Sequence, residues 1–119
     1  MKIKKSKLLK KLSMLAASLI ANDKDIHARY VMRIHSTYDN VSGANDRVVS
    51  FVNEHRINCN NLWNQCEIKI DTDFILKVYE MAGDDMGDKF YTIRYIRHEK
   101  NIGLRQTKDL TDYITNIQI

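Results

Sequence analysis

Across 119 residues there is no proline and there are only four glycines, which excludes long flexible linkers and Pro-rich recognition segments. The chain is therefore expected to be compact throughout. With 44% hydrophobic and 29% charged residues it suits one globular domain with a modest core, and it is short for two. The abundance of Ile, Lys and Asn resembles AT-rich coding, as in many phages and mobile elements.

The formal net charge of +4 is unevenly placed. Lys2, Lys4, Lys5, Lys7, Lys10 and Lys11 lie in the first eleven positions with no acid among them, and the remaining 108 residues carry 13 basic and 15 acidic side chains. The expectation is a near-neutral body with a basic N-terminal arm. Cys59 and Cys66 are too few for a disulfide scaffold. Together with His55 they match no paired zinc-ligand spacing, so neither a metal nor a cofactor is expected. Met1 to Lys11 followed by Leu12 to Ala21 has the outline of a signal peptide. However, Leu19 occupies the position where a small residue is needed, and the apolar run is well short of the ~18 residues of a membrane span. The expected location is cytoplasmic.

Periodicity divides the chain into elements. Leu8, Leu12, Leu15 and Leu19 form one stripe of an amphipathic helix, with Lys4, Lys7 and Lys11 on another, giving a basic N-terminal helix over residues 1–22. From Ile26 to Ile34 apolar residues recur at every second position. This reads as a half-buried strand over 26–35, with His27, Arg29, Val31, Arg33 and His35 facing outward. Val48, Phe51, Val52 and His55 return to helical spacing and predict a helix from Gly43 to Glu54 with Ser42 as its N-cap and His55 at its C-terminal end; Asn58 to Asn61 then break the chain. Trp63 to Ile70 alternates again and reads as a second strand. Asp71 or Thr72 caps a helix through Phe74, Val78, Met81 and Ala82, stopped by Gly83. Asp84, Asp85 and Asp88 form a polar turn that lacks calcium-loop spacing. The expected fold is α+β: a two- or three-stranded sheet packed by helices in a domain spanning 23–119, ending in a helical hairpin over 88–117.

That hairpin is the most specific stretch. Phe90, Tyr91, Thr92, Ile93, Tyr95 and Ile96 suit a strand by propensity, yet a helix gathers Lys89, Ile93, Arg97 and Lys100 on one face. The run from Lys89 to Asp112 is similar to the C-terminal domain of the bacterial ribosomal stalk protein. It has a Lys, then Ile93-Arg94, Ile96-Arg97, Ile102-Gly103-Leu104-Arg105 and Lys108-Asp109-Leu110 in gapless register. The resemblance implies two helices joined at Gly103-Leu104 and a factor-docking face made of Lys89, Ile93, Arg94, Arg97 and Lys108. It also implies a closing sheet, which here has to come from the two upstream strands. Tyr91, Tyr95 and Thr107 replace small residues of the family pattern, and the family's acidic dimerising domain and Ala-rich hinge are missing from the sequence. A borrowed or converged docking hairpin is the preferred reading.

An exposed Ile93 ringed by cations would anchor and steer an acidic partner; the same spacing also suits a core isoleucine with a solvated cationic rim. No phosphate-cradling glycine loop, Gly-x-Ser-x-Gly elbow or metal-binding helix pair is present, so no enzyme is expected. The expectation is a non-enzymatic adaptor or inhibitor that docks an acidic protein, such as a translational GTPase or a ribosome-associated factor. The alternative is an RNA- or DNA-binding regulator using Lys4, Lys7, Lys11, Arg29 and Arg33.

Overall fold

The computed structural model describes residues 4–41, 46–83 and 86–117. They form helices α1 (Lys5–Ala21), α2 (Asp25–Asp39), α3 (Asp46–Asn64), α4 (Thr72–Ala82), α5 (Met86–Lys100) and α6 (Leu104–Thr115). Among the described residues there is no strand, so the expected α+β architecture with its small sheet is overturned in favour of a helical bundle. Ser42 and Gly43, expected to open the third helix, and Asp84 and Asp85 of the expected polar turn lie outside the described residues.

The 26–35 strand is in fact α2, because the residues that reach the core are Ala28, Val31 and Ile34, at helical steps of three. Ile26, which the alternation places inside, is 81% exposed, and Val31, which it places outside, is fully buried. Two-fold and 3.6-fold readings share Ala28 and Ile34, so apolar spacing alone did not separate them. The expected break at Asn58 to Asn61 is likewise absent: α3 continues through it, burying Cys59 and Leu62. His55 therefore sits within α3 rather than at its end, with Nδ1 2.9 Å from the Phe51 carbonyl and its ring 4.0 Å from that of Phe51.

The second expected strand, 63–70, is the end of α3 followed by an irregular segment. Its alternation is real, since Cys66 and Ile70 are buried while Glu67 and Lys69 are exposed. What it lacks is a ladder partner. Side chains of α1 take that place: Asn22 Oδ1 accepts from Glu67 N–H at 3.0 Å and Ile68 N–H at 3.1 Å, its Nδ2 donates to Ile68 O at 2.9 Å, and Ser18 Oγ accepts from Ile70 N–H at 2.8 Å. Buried backbone polar groups need partners, and here two helix side chains supply them without a neighbouring strand.

Asn22 is positioned by the way α1 ends. Asp23 adopts a left-handed backbone (φ 58°), Lys24 N–H reaches the Leu19 carbonyl at 2.8 Å and Asp23 N–H the Ile20 carbonyl at 3.1 Å, which closes the helix in a Schellman turn. The α4 boundaries follow the sequence closely. Asp71 Oδ1 accepts from Phe74 N–H at 2.8 Å, and Gly83 ends the helix at φ 49°, a conformation that disfavours any side chain.

Two apolar clusters result, and α1 belongs to both. Leu8, Leu12, Leu15 and Leu19 pack with Ala28, Val31 and Ile34 of α2 and Val52, Cys59 and Leu62 of α3. Ala17 and Ala21, one turn apart on another face, pack with Ile70, Phe74, Ile75 and Val78, with Ile96 and Ile102, and with Leu110 and Ile114. The C-terminal half of α1 is buried on nearly every side, and its lysines stay on the exposed N-terminal half. Each fully buried leucine or isoleucine contributes about 2–3 kcal/mol of transfer free energy.

Candidate interaction surface

The hairpin is made by α5 and α6, and the turn between them is built from local chemistry. Arg97, His98 and Lys100 occupy the last turn of α5, where cations complement the helix dipole. Asn101 then takes a left-handed conformation (φ 52°), a role in which asparagine often replaces glycine. Ile102 is buried, and Gly103 starts α6 with its N–H donating to Gln106 Oε1 at 3.0 Å while its carbonyl accepts from Thr107 N–H at 2.9 Å and Thr107 Oγ1 at 2.8 Å.

Residues 88–98 are helical despite their β-branched and aromatic content, because tertiary burial overrides propensity. Thr92 and Ile96, one turn apart, are fully buried and turn α5 inward. On one flank Tyr95 stacks on Phe74 of α4 with ring centroids 6.2 Å apart, with Lys77 Nζ 5.9 Å from the Tyr95 ring and Lys100 Nζ 4.5 Å from the Phe74 ring. On the other flank Lys89 Nζ pairs with Asp112 Oδ1 of α6 at 2.8 Å. That pair joins the start of α5 to the end of α6, as an antiparallel hairpin requires. Ile93 follows Lys89 by a turn and Lys108 precedes Asp112 by a turn, so each shares the face of its helix that carries the bridge.

The docking face expected from sequence is therefore divided. Lys89 is half-buried and ion-paired, Ile93 is half-buried, and Lys108 is exposed on α6. Arg94 and Arg97 are exposed on the outer face of α5. There they join three residues that the sequence reading passed over: His98, exposed beside them, and Phe90 and Tyr91, 64% and 65% exposed with ring centroids 6.3 Å apart. A signal for them was present. Phe90, Arg94 and His98 recur at steps of four on the side opposite Thr92 and Ile96. Arg94, Arg97 and His98, with Asn101, Ile102 and Gly103, line an open depression of about 620 Å³ beside the turn. Neither arginine belongs to an ion pair found among the described residues.

The alternative set is placed differently from the expected basic strand face. Arg29 and Arg33 are exposed one turn apart on the helical face of α2 that points away from Val31. Lys4, Lys7 and Lys11 are exposed on the N-terminal half of α1. The two helices run antiparallel, with Lys5 Nζ donating to the Asp39 carbonyl at 2.7 Å.

A second concavity of about 730 Å³ opens among α1, α2, α4 and α6, lined in part by Met14, Met32, His35, Asp39, Ile75 and Tyr113. Thr72 Oγ1 donates to Met14 Sδ at 3.0 Å, and Tyr113 OH to Met32 Sδ at 2.9 Å. Burial holds the His35 imidazole below its ordinary pKa, with Asp39 acting in the opposite sense, and burial raises the Tyr113 phenol. Burial also pushes the Cys59 thiol up to about 11 and raises Cys66, whose Sγ donates to the Leu62 carbonyl at 3.4 Å. Both cysteines are free and buried, and burial disfavours the thiolate at each. Among the described residues no three His, Cys, Asp or Glu side chains gather as metal ligands, and no helix is long and apolar enough to cross a membrane. No protein-family model, curated protein or solved structure matches this chain.

Proposed function

We propose that this protein is a non-enzymatic binding protein, an adaptor or inhibitor, that docks an acidic protein partner on the outer face of the α5–α6 hairpin. The observation that carries this reading is the pair Arg94 and Arg97. Both are exposed on one helix face, with His98 beside them, and neither is compensated by a carboxylate among the described residues. Uncompensated cations on a rigid helix steer an oppositely charged surface and fix its register. Because residues 89–112 resemble the factor-docking hairpin of the ribosomal stalk protein, translation factors are the first partners to test.

The test is an in-cell crosslinking capture with mass spectrometry, comparing the wild-type chain with Arg94→Glu/Arg97→Glu. The expected result is loss of one abundant partner with an acidic surface and retention of the background proteins. An unchanged partner list would remove the reading.

A second reading rests on a separate observation: Lys4, Lys7, Lys11, Arg29 and Arg33 are all exposed and belong to no ion pair among the described residues. Such a set suits phosphate contacts, whose affinity falls steeply with salt. A gel shift on mixed RNA that is lost in Lys4→Ala/Lys7→Ala/Lys11→Ala, with crosslinking unaffected by the arginine reversal, would favour it.

A further inference from the structure

From the geometry of α5 we infer that the partner's docking element is an acidic amphipathic segment, an apolar side chain seated on Phe90 and Tyr91 and carboxylates reaching Arg94, Arg97 and His98. This rests on the proposed docking function and specifies the partner's chemistry. A purely electrostatic platform needs only the cations, and a helix that merely packs needs its apolar residues inward. On α5 the buried positions are Thr92 and Ile96, while two aromatic rings lie outward, about two-thirds exposed and in edge contact with each other. Phe90 and Arg94 are one turn apart, so the aromatic pair and the first guanidinium share one strip. Exposed aromatic residues flanked by arginines have the composition of an interface hot spot, where a central apolar contact excludes water and strengthens the charge pairs around it.

The strip has a direction. The aromatic pair is at the N-terminal side and Arg97 and His98 stand seven residues on from Phe90 and Tyr91, about 10 Å along the axis at 1.5 Å per residue. The partner segment accordingly presents its apolar group one to two helical turns from its carboxylates, and a segment carrying carboxylates alone leaves the rings in water. The strip also moves the apolar centre of docking away from Ile93, which is half-buried.

The test uses the full chain and two fluorescein-labelled helical peptides of equal charge. One is built from Glu and Ala only; the other carries two Phe residues one turn apart, with its Glu residues one to two turns from them. By fluorescence anisotropy the Phe-bearing peptide should bind about tenfold more tightly. Phe90→Ala/Tyr91→Ala should abolish that advantage, Ile93→Ala should preserve it, and Arg94→Glu/Arg97→Glu should weaken both peptides. Circular dichroism confirms that helix content is retained, and the single variant Tyr91→Ala, expected to lose part of the advantage, serves if the double variant does not fold. Equal binding of the two peptides, or an advantage that survives Phe90→Ala/Tyr91→Ala, overturns the inference; salt-sensitive binding lost with the arginines still leaves the acidic-partner reading standing. Absence of binding by either peptide removes both. A single-stranded oligothymidylate that outcompetes both peptides in a Tyr91-dependent way overturns the inference in favour of a nucleic-acid platform.

Discussion

The two helices of the hairpin place their apolar residues in opposite ways. In α6 the buried positions Thr107, Leu110, Thr111 and Ile114 form one stripe, and Arg105, Lys108, Asp109 and Asp112 are exposed around it. In α5 only Thr92 and Ile96 are fully buried, and its largest apolar side chains are divided between Tyr95 against α4 and the outward pair Phe90 and Tyr91. Both helices satisfy the same fold. What differs is that α6 leaves Leu104 about half exposed at its start and otherwise turns its apolar residues inward, whereas α5 carries two exposed aromatic rings that packing among the described residues does not use. The difference separates residues kept for stability from residues available to a partner.

The largest expected effect tests the inner side of this contrast. Leu110→Ala, at a fully buried position, should cost about 3 kcal/mol in urea melts, from lost transfer energy plus the cavity left behind. A cost below about 1 kcal/mol would show that α6 is not the packing half of the hairpin. The next effect depends on pH. The Tyr113 phenol of α6 is raised by burial, so its neutral form is retained in the folded state above pH 10.0, where the unfolded chain ionises. Its contribution is therefore complete below that pH and is lost as pH rises toward the folded value. Stability should fall more steeply above about pH 10 in the wild type than in Tyr113→Phe, as read by chemical denaturation across the alkaline range. Parallel slopes would contradict the burial of this ring.

Smaller effects probe the junction and the outer face. Gln106→Ala removes the acceptor for Gly103 N–H at the start of α6 and should cost about 1 kcal/mol. The Lys89–Asp112 bridge is about half exposed on both sides, so a double-mutant cycle should return a coupling under about 0.5 kcal/mol. The smallest change should come from Phe90→Ala, a larger truncation than Leu110→Ala yet expected within about 0.5 kcal/mol of wild type, because the ring is mostly in water. A loss comparable to that of Leu110→Ala would mean that Phe90 is a packing residue and would erase the contrast between the helices.

Part of the chain's outline is legible in the sequence, although the sheet expected from it is absent among the described residues. The Leu8, Leu12, Leu15 and Leu19 stripe, the Asp71 cap and the Gly83 stop are local signals, each carried by residues within a few positions of one another, whereas residues 88–98 suit a strand by propensity and the helical reading there rests on a resemblance. Of the residues expected to form the docking face, Arg94, Arg97 and Lys108 are exposed and Lys89 and Ile93 are half-buried, and the exposure of Phe90, Tyr91 and His98 is not given by their spacing. The reason is that α5 has apolar residues on both sides, and spacing gives their relative angles without saying which side meets a neighbour.

At α4 the sequence alone determined where backbone hydrogen bonds begin and end, through a capping aspartate and a stopping glycine. Tertiary structure decided what those segments pack against. It made residues 25–39 a helix by burying Val31 against α1, and it let Asn22 and Ser18 satisfy the 67–70 backbone where a sheet had been expected. It also turned α5 so that Thr92 and Ile96 are inside and Phe90 and Arg94 outside. Burial depends on contacts between residues far apart in the chain, and a one-dimensional pattern compatible with two orientations is resolved only when the other helices occupy one of them.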